Sequence, residues 1–517
     1  MPGALLVGID IGTSGAKVVL VDETGGVVAE SVREYPSSSP QPLWSEQNPD
    51  DWARAAFAGV RDVLERSGAR PGRIAGVGLA GQMHGLVLRD AHGELLRPAI
   101  LWNDQRTGPQ CDAVTARLGL DTLLARTGNA MLPGFTAPKM LWVRDHEPDI
   151  WRRAASFALP KDDVRDRLTG MRAADVSDAS GTALFDVTKR AWSDGMFADL
   201  GLDPALAPDC AESCEVIGAV TSEAARATGL LAGTPVVAGA GDQAAQAIGA
   251  GLAREGDVCV TIGTSGVVFA PTAAPRIEPH GRLHAFCHAV PGMWHVMGVM
   301  LSAGGSLRWY RDALCAELAA ASRAAGRDPY DDLVAEAAQA PPGAEGLLFL
   351  PYLTGERTPH PDPLARGAFV GLTARHTRAH LTRAVLEGVG FGLLDALELV
   401  RGAGVETASV RVSGGGSRSP LWRQILATQF GVPVVTLAAQ HGASFGAALL
   451  AGVGADVFTD VGADVFADVG AACDRTVRTG ETTVPVEAWR ATYRDLHDIY
   501  ASLYGALGPS FRSLATS

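Results

Sequence analysis

Two stretches of this chain are built alike. "LLVGIDIGTSGAKVVLVDE" carries the string GTSG at Gly12–Gly15, and "DVCVTIGTSGVVFAP" carries it again at Gly263–Gly266, each time between two apolar, β-branched runs. A short Gly/Thr/Ser turn between such runs reads as the tip of a hairpin. The first copy continues through "TGG" into "VVAESVREY", a three-stranded meander. The second continues into "LHAFCHAV" and "WHVMGVM". Helical patterns follow in each half, "DDWARAAFAGVRDVLERSG" and "SAGGSLRWYRDALCAELAAASRAAG". The expected fold is therefore α/β, two duplicated domains around a central cleft. At 517 residues the chain exceeds one ordinary domain. A boundary near residue 250, after "AAQAIGAG", divides it into 1–250 and 251–517, with a variable tail from about 451. A tandem repeat, "GADVFTDV" then "GADVFADV" at Gly454–Val469, has a period of eight that fits no solenoid class and reads as a local surface duplication.

Charge narrows the partners. The net charge is −13, with no run of Lys or Arg, and the only lysines are Lys17, Lys139, Lys161 and Lys189. That argues against nucleic acid, which needs a basic face. The seven cysteines form no metal or redox spacing, and no apolar run reaches the ~18 residues of a membrane span. A first strand beginning near residue 4 leaves no room for a signal peptide. The expectation is a cytoplasmic protein without a membrane partner.

Several residues stand where chemistry would need them. Asp10 lies inside an apolar strand just before the first GTSG turn. A buried carboxylate wants a partner, and beside a Gly-rich turn a metal ion bridging phosphates is a natural one; capping of the turn is the alternative. The two turns, with Thr13 in one and Gly263 and Thr264 in the other, could clamp a polyphosphate between them. A third Gly-rich turn, Gly414, Gly415 and Gly416 in "VRVSGGGSRSPLWRQIL", joins a strand to a helix that starts near Ser419. It could seat a base or an α-phosphate on bare backbone, or be a simple left-handed turn. Asp242 opens the helix of "AGDQAAQAIG". It is either an N-cap or an ionised carboxylate placed to take a hydroxyl proton. Gln82, Met83 and His84 in "GQMHG", and Trp102, Asn103, Asp104 and Arg106 in "LWNDQR", sit at strand ends with the mixture of polar and aromatic groups that suits a polyol. A structural role for His84 is the alternative. "PLWSEQ" and "LTGERTPH" are polar loops of open role. "GVGLAG" matches GxGxxG but runs into "QMHGLVL" rather than a helix, and no GxxxxGK[ST] exists, so neither a dinucleotide fingerprint nor a P-loop is present.

These residues resemble those of the FGGY family of carbohydrate kinases, within the actin/hexokinase/Hsp70-like ATPase superfamily. "GFTAPKMLWVRDH" and "GAFVGLTARHTRAHLTRAVLE" are similar to its two signatures, and the likeness covers roughly residues 4 to 450. "PLWSEQ", "GQMHG", "PAILWNDQR", "LPKDDVRDRLTG", "SDASGT" and "FLPYLTGERTPH" resemble the members that phosphorylate D-xylulose. The resemblance implies two RNase H-like domains, with sugar deep in the cleft and ATP with Mg²⁺ at its mouth. It implies Asp242 as the base for the 5-hydroxyl and Asp10 at the magnesium site. Met83 and His84 would lie on the sugar, with Trp102, Asn103, Asp104 and Gln243 beside them; Gln243 is one methylene longer than the Asn of many relatives. Thr13, Gly263 and Thr264 would face the phosphates, and Gly414–Gly416 the adenosine. A homodimer is open to such a chain. Other sugar or polyol kinases of the family, acting on ribulose, gluconate or glycerol, and a non-catalytic actin-like nucleotide binder are the competing expectations.

Overall fold

The computed structural model describes residues 3–439, 441–457 and 469–515. β1 (Leu5–Ile11) and β2 (Gly15–Asp22) pair antiparallel across the first GTSG turn, and β3 (Val27–Glu34) extends the meander on β2. α1 (Pro49–Ser67) starts at Asn48, whose side chain accepts from the Asp50 N–H, and stops at Gly68 in a left-handed conformation. Trp52, Ala56, Val60 and Val63 form the stripe it buries on the hairpin. The chain thus returns over the sheet, and β4 (Ile74–Gly81) lies parallel to β1. A helical excursion follows, including α2 (Thr136–His146) and α3 (Pro160–Thr169). β5 (Val216–Ala219) and β6 (Pro235–Val237) then complete the order β5-β6-β4-β1-β2-β3, with Ala240–Gly241 as a short further strand on β4. α4 (Asp242–Gly249) closes this half.

The second half repeats the plan with one difference. β7 (Cys259–Ile262) and β8 (Gly266–Thr272) form the second GTSG hairpin. β9 (His284–Cys287) does not pair with β8, as a repeated meander would require. β10 (Trp294–Met300) takes that place, and β9 adds to its outer edge. The long helical pattern after β10 is two helices, α5 (Gly304–Leu314) and α6 (Ala316–Ala324), broken at Cys315 where φ is −129°. α7 (Pro329–Ala337) and the 25-residue α8 (Arg378–Gly402) follow. β11 (Val410–Ser413) runs parallel to β7, and α9 (Pro420–Phe430) leads to β12 (Val434–Leu437). α10 (Ala443–Gly454), β13 (Thr479–Thr483) and α11 (Glu487–Ala515) end the described chain, and the second sheet has the order β9-β10-β8-β7-β11-β12-β13. Residues 458–468, most of the tandem repeat, lie outside the described residues.

α10 crosses the sequence boundary near 250. It packs on the first sheet, where a Cβ on Gly8 would lie 1.9 Å from Ser444 O and one on Gly78 would lie 2.0 Å from Ala447 O. It also crosses α4, with Gly446 against Ala245 O. Gly76 and Gly78 of "GVGLAG" are thus part of a floor for a helix backbone. All seven cysteines are free, and no described helix is long and apolar enough to cross a membrane.

Candidate functional site

The first GTSG turn is tied down from several sides. Gly12 N–H bonds Gly15 O (3.1 Å), Tyr35 Oη donates to Gly12 O (2.5 Å) and Gln47 Nε2 donates to Thr13 O (2.6 Å). The Trp102 indole N–H donates to Thr13 Oγ1 (3.0 Å), so the residue expected at the sugar also braces the residue expected at the phosphates. Gln47 Oε1 accepts in turn from Trp52 Nε1 and Gln82 Nε2. "PLWSEQ" is therefore a brace. Ser45 N–H donates to Asp104, Glu46 pairs with Arg97 and Arg106, and Arg106 lies 3.6 Å over the Trp44 ring.

Asp104 is fully buried, and both its oxygens are taken by the Ser45 and Arg106 N–H groups and the Arg106 guanidinium. It holds the loop that carries Trp102 and the exposed Asn103, and offers no free oxygen to a sugar.

Asp10, at the end of β1, has a buried Oδ1 with no hydrogen-bond partner. Burial and the charge of Asp242 push its carboxyl up to about 7, against the pull of Lys17. Asp242 is the first residue of α4, and the N-cap is Gly241, so its side chain caps nothing. Burial raises it to about 6, opposed by hydrogen bonds from Gln243, whose Nε2 lies 3.3 Å from Oδ1. The helix N-terminus favours its ionised form. Two half-buried carboxylates, Asp10 lifted by the charge of Asp242 and carrying an unpartnered buried oxygen, fit a hard cation such as Mg²⁺ that takes oxygen ligands and keeps some of its water.

One turn further along α4, Gln246 Nε2 donates to Thr261 Oγ1 (3.2 Å), which meets Ser413 Oγ at 2.8 Å. This link joins the helix of Asp242 to the strand ends that carry the other two Gly-rich turns. Those turns line one cavity of about 720 Å³, with Gly263, Thr264, Gly304, Arg308, Gly415 and Gly416 among its walls. Thr264 O accepts from Ala303 and Gly305 N–H, which docks the turn on the start of α5. A Cβ on Gly304 would lie 2.6 Å from Gly263 O. Gly415 has open space where its Cβ would be. Gly414 stands behind, with φ 81° and only 2.5 Å from a Cβ to Ile262 O, a place only glycine fills without strain. Val334 of α7 and Leu421 of α9 add apolar wall. Gly304, Arg308 and α7 carry no local motif and were not legible as site residues.

On the other side of Asp242, Met83 is buried against Gly241. His84 has φ 69°, a left-handed conformation that a side chain adopts at a cost of about 1–3 kcal/mol. Thr136 Oγ1 and Lys139 Nζ hold it there by donating to its carbonyl (3.1 and 2.7 Å). "GFTAPK" thus serves as a clamp on the His84 backbone. Burial lowers Lys139 to about 7. Burial and Lys139 keep the imidazole of His84 well below its ordinary range, hence neutral. Its Nδ1 lies 2.8 Å from Gly181 O. A carbonyl only accepts, so Nδ1 carries the proton and Nε2 is left as an acceptor. Phe135 and Phe286 flank the ring, and His284 packs against both of them.

Residues 5–249 match the N-terminal domain of the FGGY family of carbohydrate kinases, and residues 258–455 match its C-terminal domain. The chain belongs to the FGGY family of carbohydrate kinases. It is 44% identical over 448 residues to the xylulose kinase of Escherichia coli strain K12, covering 86% of this chain and 89% of that one. It is 38% identical to the xylulose kinase of Bacillus subtilis strain 168, covering 96% of each. Among solved structures, a "xyloylose kinase" from Brucella ovis superposes with a TM-score of 0.88 at 39% identity, over 98% of this chain and 99% of that one.

In an FGGY kinase the "SDASGT" segment then has a use. A Cβ on Gly181 would lie 2.2 Å from His84 Nδ1. Gly181→Ala should therefore displace the imidazole and lower kcat/KM for the sugar on the order of 10²-fold, with the KM for ATP unchanged. Steady-state kinetics with each reactant varied in turn read this directly, and an unchanged sugar kcat/KM would remove His84 from the sugar side.

Proposed function

We propose that this kinase transfers the γ-phosphoryl group of ATP to the 5-hydroxyl of D-xylulose, giving D-xylulose 5-phosphate and ADP. The observation that carries the reading is the place of Asp242. It stands uncapped at the start of α4, between the Met83–His84 loop and the helix link to the nucleotide-sized cavity. Similarity over most of the chain to proteins named xylulose kinase supplies the substrate.

In this reading Asp242 accepts the hydroxyl proton as the sugar oxygen bonds to phosphorus and the bond to ADP breaks. Its carboxyl, lifted to about 6, is ionised near neutral pH yet basic enough to take that proton. His84 Nε2 accepts from a sugar hydroxyl, and Met83 and Trp102 pack against carbon. Thr13 and Thr264 approach the phosphates from the two domains, and Gly415 and Gly416 leave room for adenosine. Magnesium, which Asp10 would hold, supplies charge neutralisation on the phosphates. The reactants, ATP and a free sugar, point to the cytoplasm.

ADP release measured with D-xylulose, D-ribulose, D-gluconate and glycerol tests the proposal. D-Xylulose should lead in kcat/KM by roughly tenfold or more. A different leading substrate would overturn the choice of sugar, and ADP release independent of any sugar would overturn transfer to sugar.

A further inference from the structure

α3 carries Lys161, Asp162 and Arg165 of "LPKDDVRDRLTG", and all three are fully buried. Asp175 and the Ser177 and Asp178 of "SDASGT" are fully buried as well. The site described above uses only Gly181 of these segments. Lys161 Nζ lies 2.6 Å from Asp162 Oδ1, 2.7 Å from Asp175 Oδ1 and 3.3 Å from Asp178 Oδ2. Arg165 Nη1 donates to the same Asp162 oxygen (2.9 Å). Taking so many charges out of water is costly, and a buried ion cluster is weak evidence for stability. Such a network does make rigid what it touches.

What it touches is the chain that enters α4. Arg165 Nη1 also donates to Ala238 O (2.8 Å). Gly239 N–H donates to Ser213 O (2.9 Å), and Ser213 Oγ donates to Asp175 Oδ2 (2.9 Å). Gly241 N–H donates to Ser177 Oγ (3.1 Å), whose own hydrogen goes to Asp175 Oδ2 (2.5 Å). Asp175 Oδ1 faces Lys161. Lys161, Asp175, Ser177 and Gly241 thus form one continuous run of contacts that ends a single residue before Asp242. Gly241 also lies against the sugar-side loop, where a Cβ would come within 2.9 Å of the Met83 side chain.

Asp242 needs such support. Among the described residues its carboxylate takes hydrogen bonds only from Gln243, its neighbour in sequence. The direction in which it points is therefore set by the backbone beneath it. We propose that Ser177, held by Asp175 and Lys161, is a positioning residue for Asp242: it fixes the Gly241 peptide and so aims the carboxylate at the substrate hydroxyl. The inference rests on the reading of Asp242 as the base.

The test pairs Ser177→Ala with Ser213→Ala. Each removes a fully buried hydroxyl that donates to the same oxygen of Asp175, and each should lower the melting temperature. Only Ser177 Oγ also holds Gly241. With the sugar that leads in the substrate panel, Ser177→Ala should lower kcat by roughly 10- to 100-fold, because a small misplacement of a reacting group is expensive. Ser213→Ala, which keeps the carbonyl that holds Gly239, should change kcat less than about threefold. The KM for ATP should stay within about twofold in both. Equal loss of kcat in the two variants, or none in Ser177→Ala, would overturn the proposal. If Ser177→Ala does not fold, Ser177→Cys, whose thiol donates and accepts only weakly, takes its place in the same comparison. Repeating Ser177→Ala in the Asp242→Asn background separates the two ideas. There it should cost less than about threefold, since the base it aims is gone. A full additional loss in that background would overturn the tether alone, whereas near-normal kcat in Asp242→Asn itself would overturn the base and the tether together.

Discussion

Asp242→Asn should lower kcat by roughly 10²–10⁴ while leaving the KM for ATP within about twofold. Asparagine keeps the shape and a carbonyl oxygen, so Gln243 can still hydrogen-bond to it and α4 starts as before. What is lost is the group that takes the proton. ATP affinity should hold because the cavity that includes Gly263, Thr264, Gly304 and Gly415 is formed by the other domain. The variant should keep the wild-type melting temperature, since the native carboxylate caps no helix and makes no ion pair among the described residues. Rapid-quench measurement of the first turnover isolates the chemical step from product release. A variant that retains more than about a third of wild-type kcat would end the assignment of Asp242 as base.

The second large effect is on stability. Gly78→Val should destabilise the protein by at least about 2–3 kcal/mol, and the loss should appear as an earlier urea midpoint. A Cβ there would lie 2.0 Å from Ala447 O. That oxygen belongs to a helix backbone and cannot rotate aside as a side chain would, so α10 must lift from the sheet. Lifting it also opens its contact with α4, where Gly446 meets Ala245 O. Activity should therefore fall with stability, because α4 carries Asp242. Gly108→Ala serves as the control: it has open space at its Cβ and an unremarkable backbone, and its midpoint should stay near wild type. Equal midpoints for wild type and Gly78→Val would mean that the helix does not press on the sheet as described.

Local order explains which parts of the site were readable in advance. The hairpin strings around Gly12–Gly15 and Gly263–Gly266 fold as hairpins because alternation and turn chemistry act within a dozen residues. The strand–glycine–helix run at Val410–Phe430 follows the same rule, down to Ser419 as N-cap with Pro420 behind it. Asp242 at the start of a helix was legible for the same reason. Asp104 shows the limit. Its residue type and place at a strand end suit a sugar ligand, yet two neighbours in space, Ser45 and Arg106, consume its oxygens. Only Arg106 is near in sequence. The braces at Gln47, Lys139 and Gly181 were quoted within motifs, but their partners are far along the chain.

The sequence by itself determined the two hairpins, the Gly-rich turns and the helix bearing Asp242, because each depends on short-range periodicity or backbone freedom. The tertiary structure alone decided the rest. It put β9 outside β10, because edge pairing is a choice between strands of similar pattern. It sent α10 back onto the first sheet, where glycines at 8, 76 and 78 admit a helix backbone that no residue near them in sequence announces. Contacts such as those of Gly8 with Ser444 and Gly78 with Ala447 join residues more than a hundred positions apart, and they follow from packing complementarity, which no local pattern encodes.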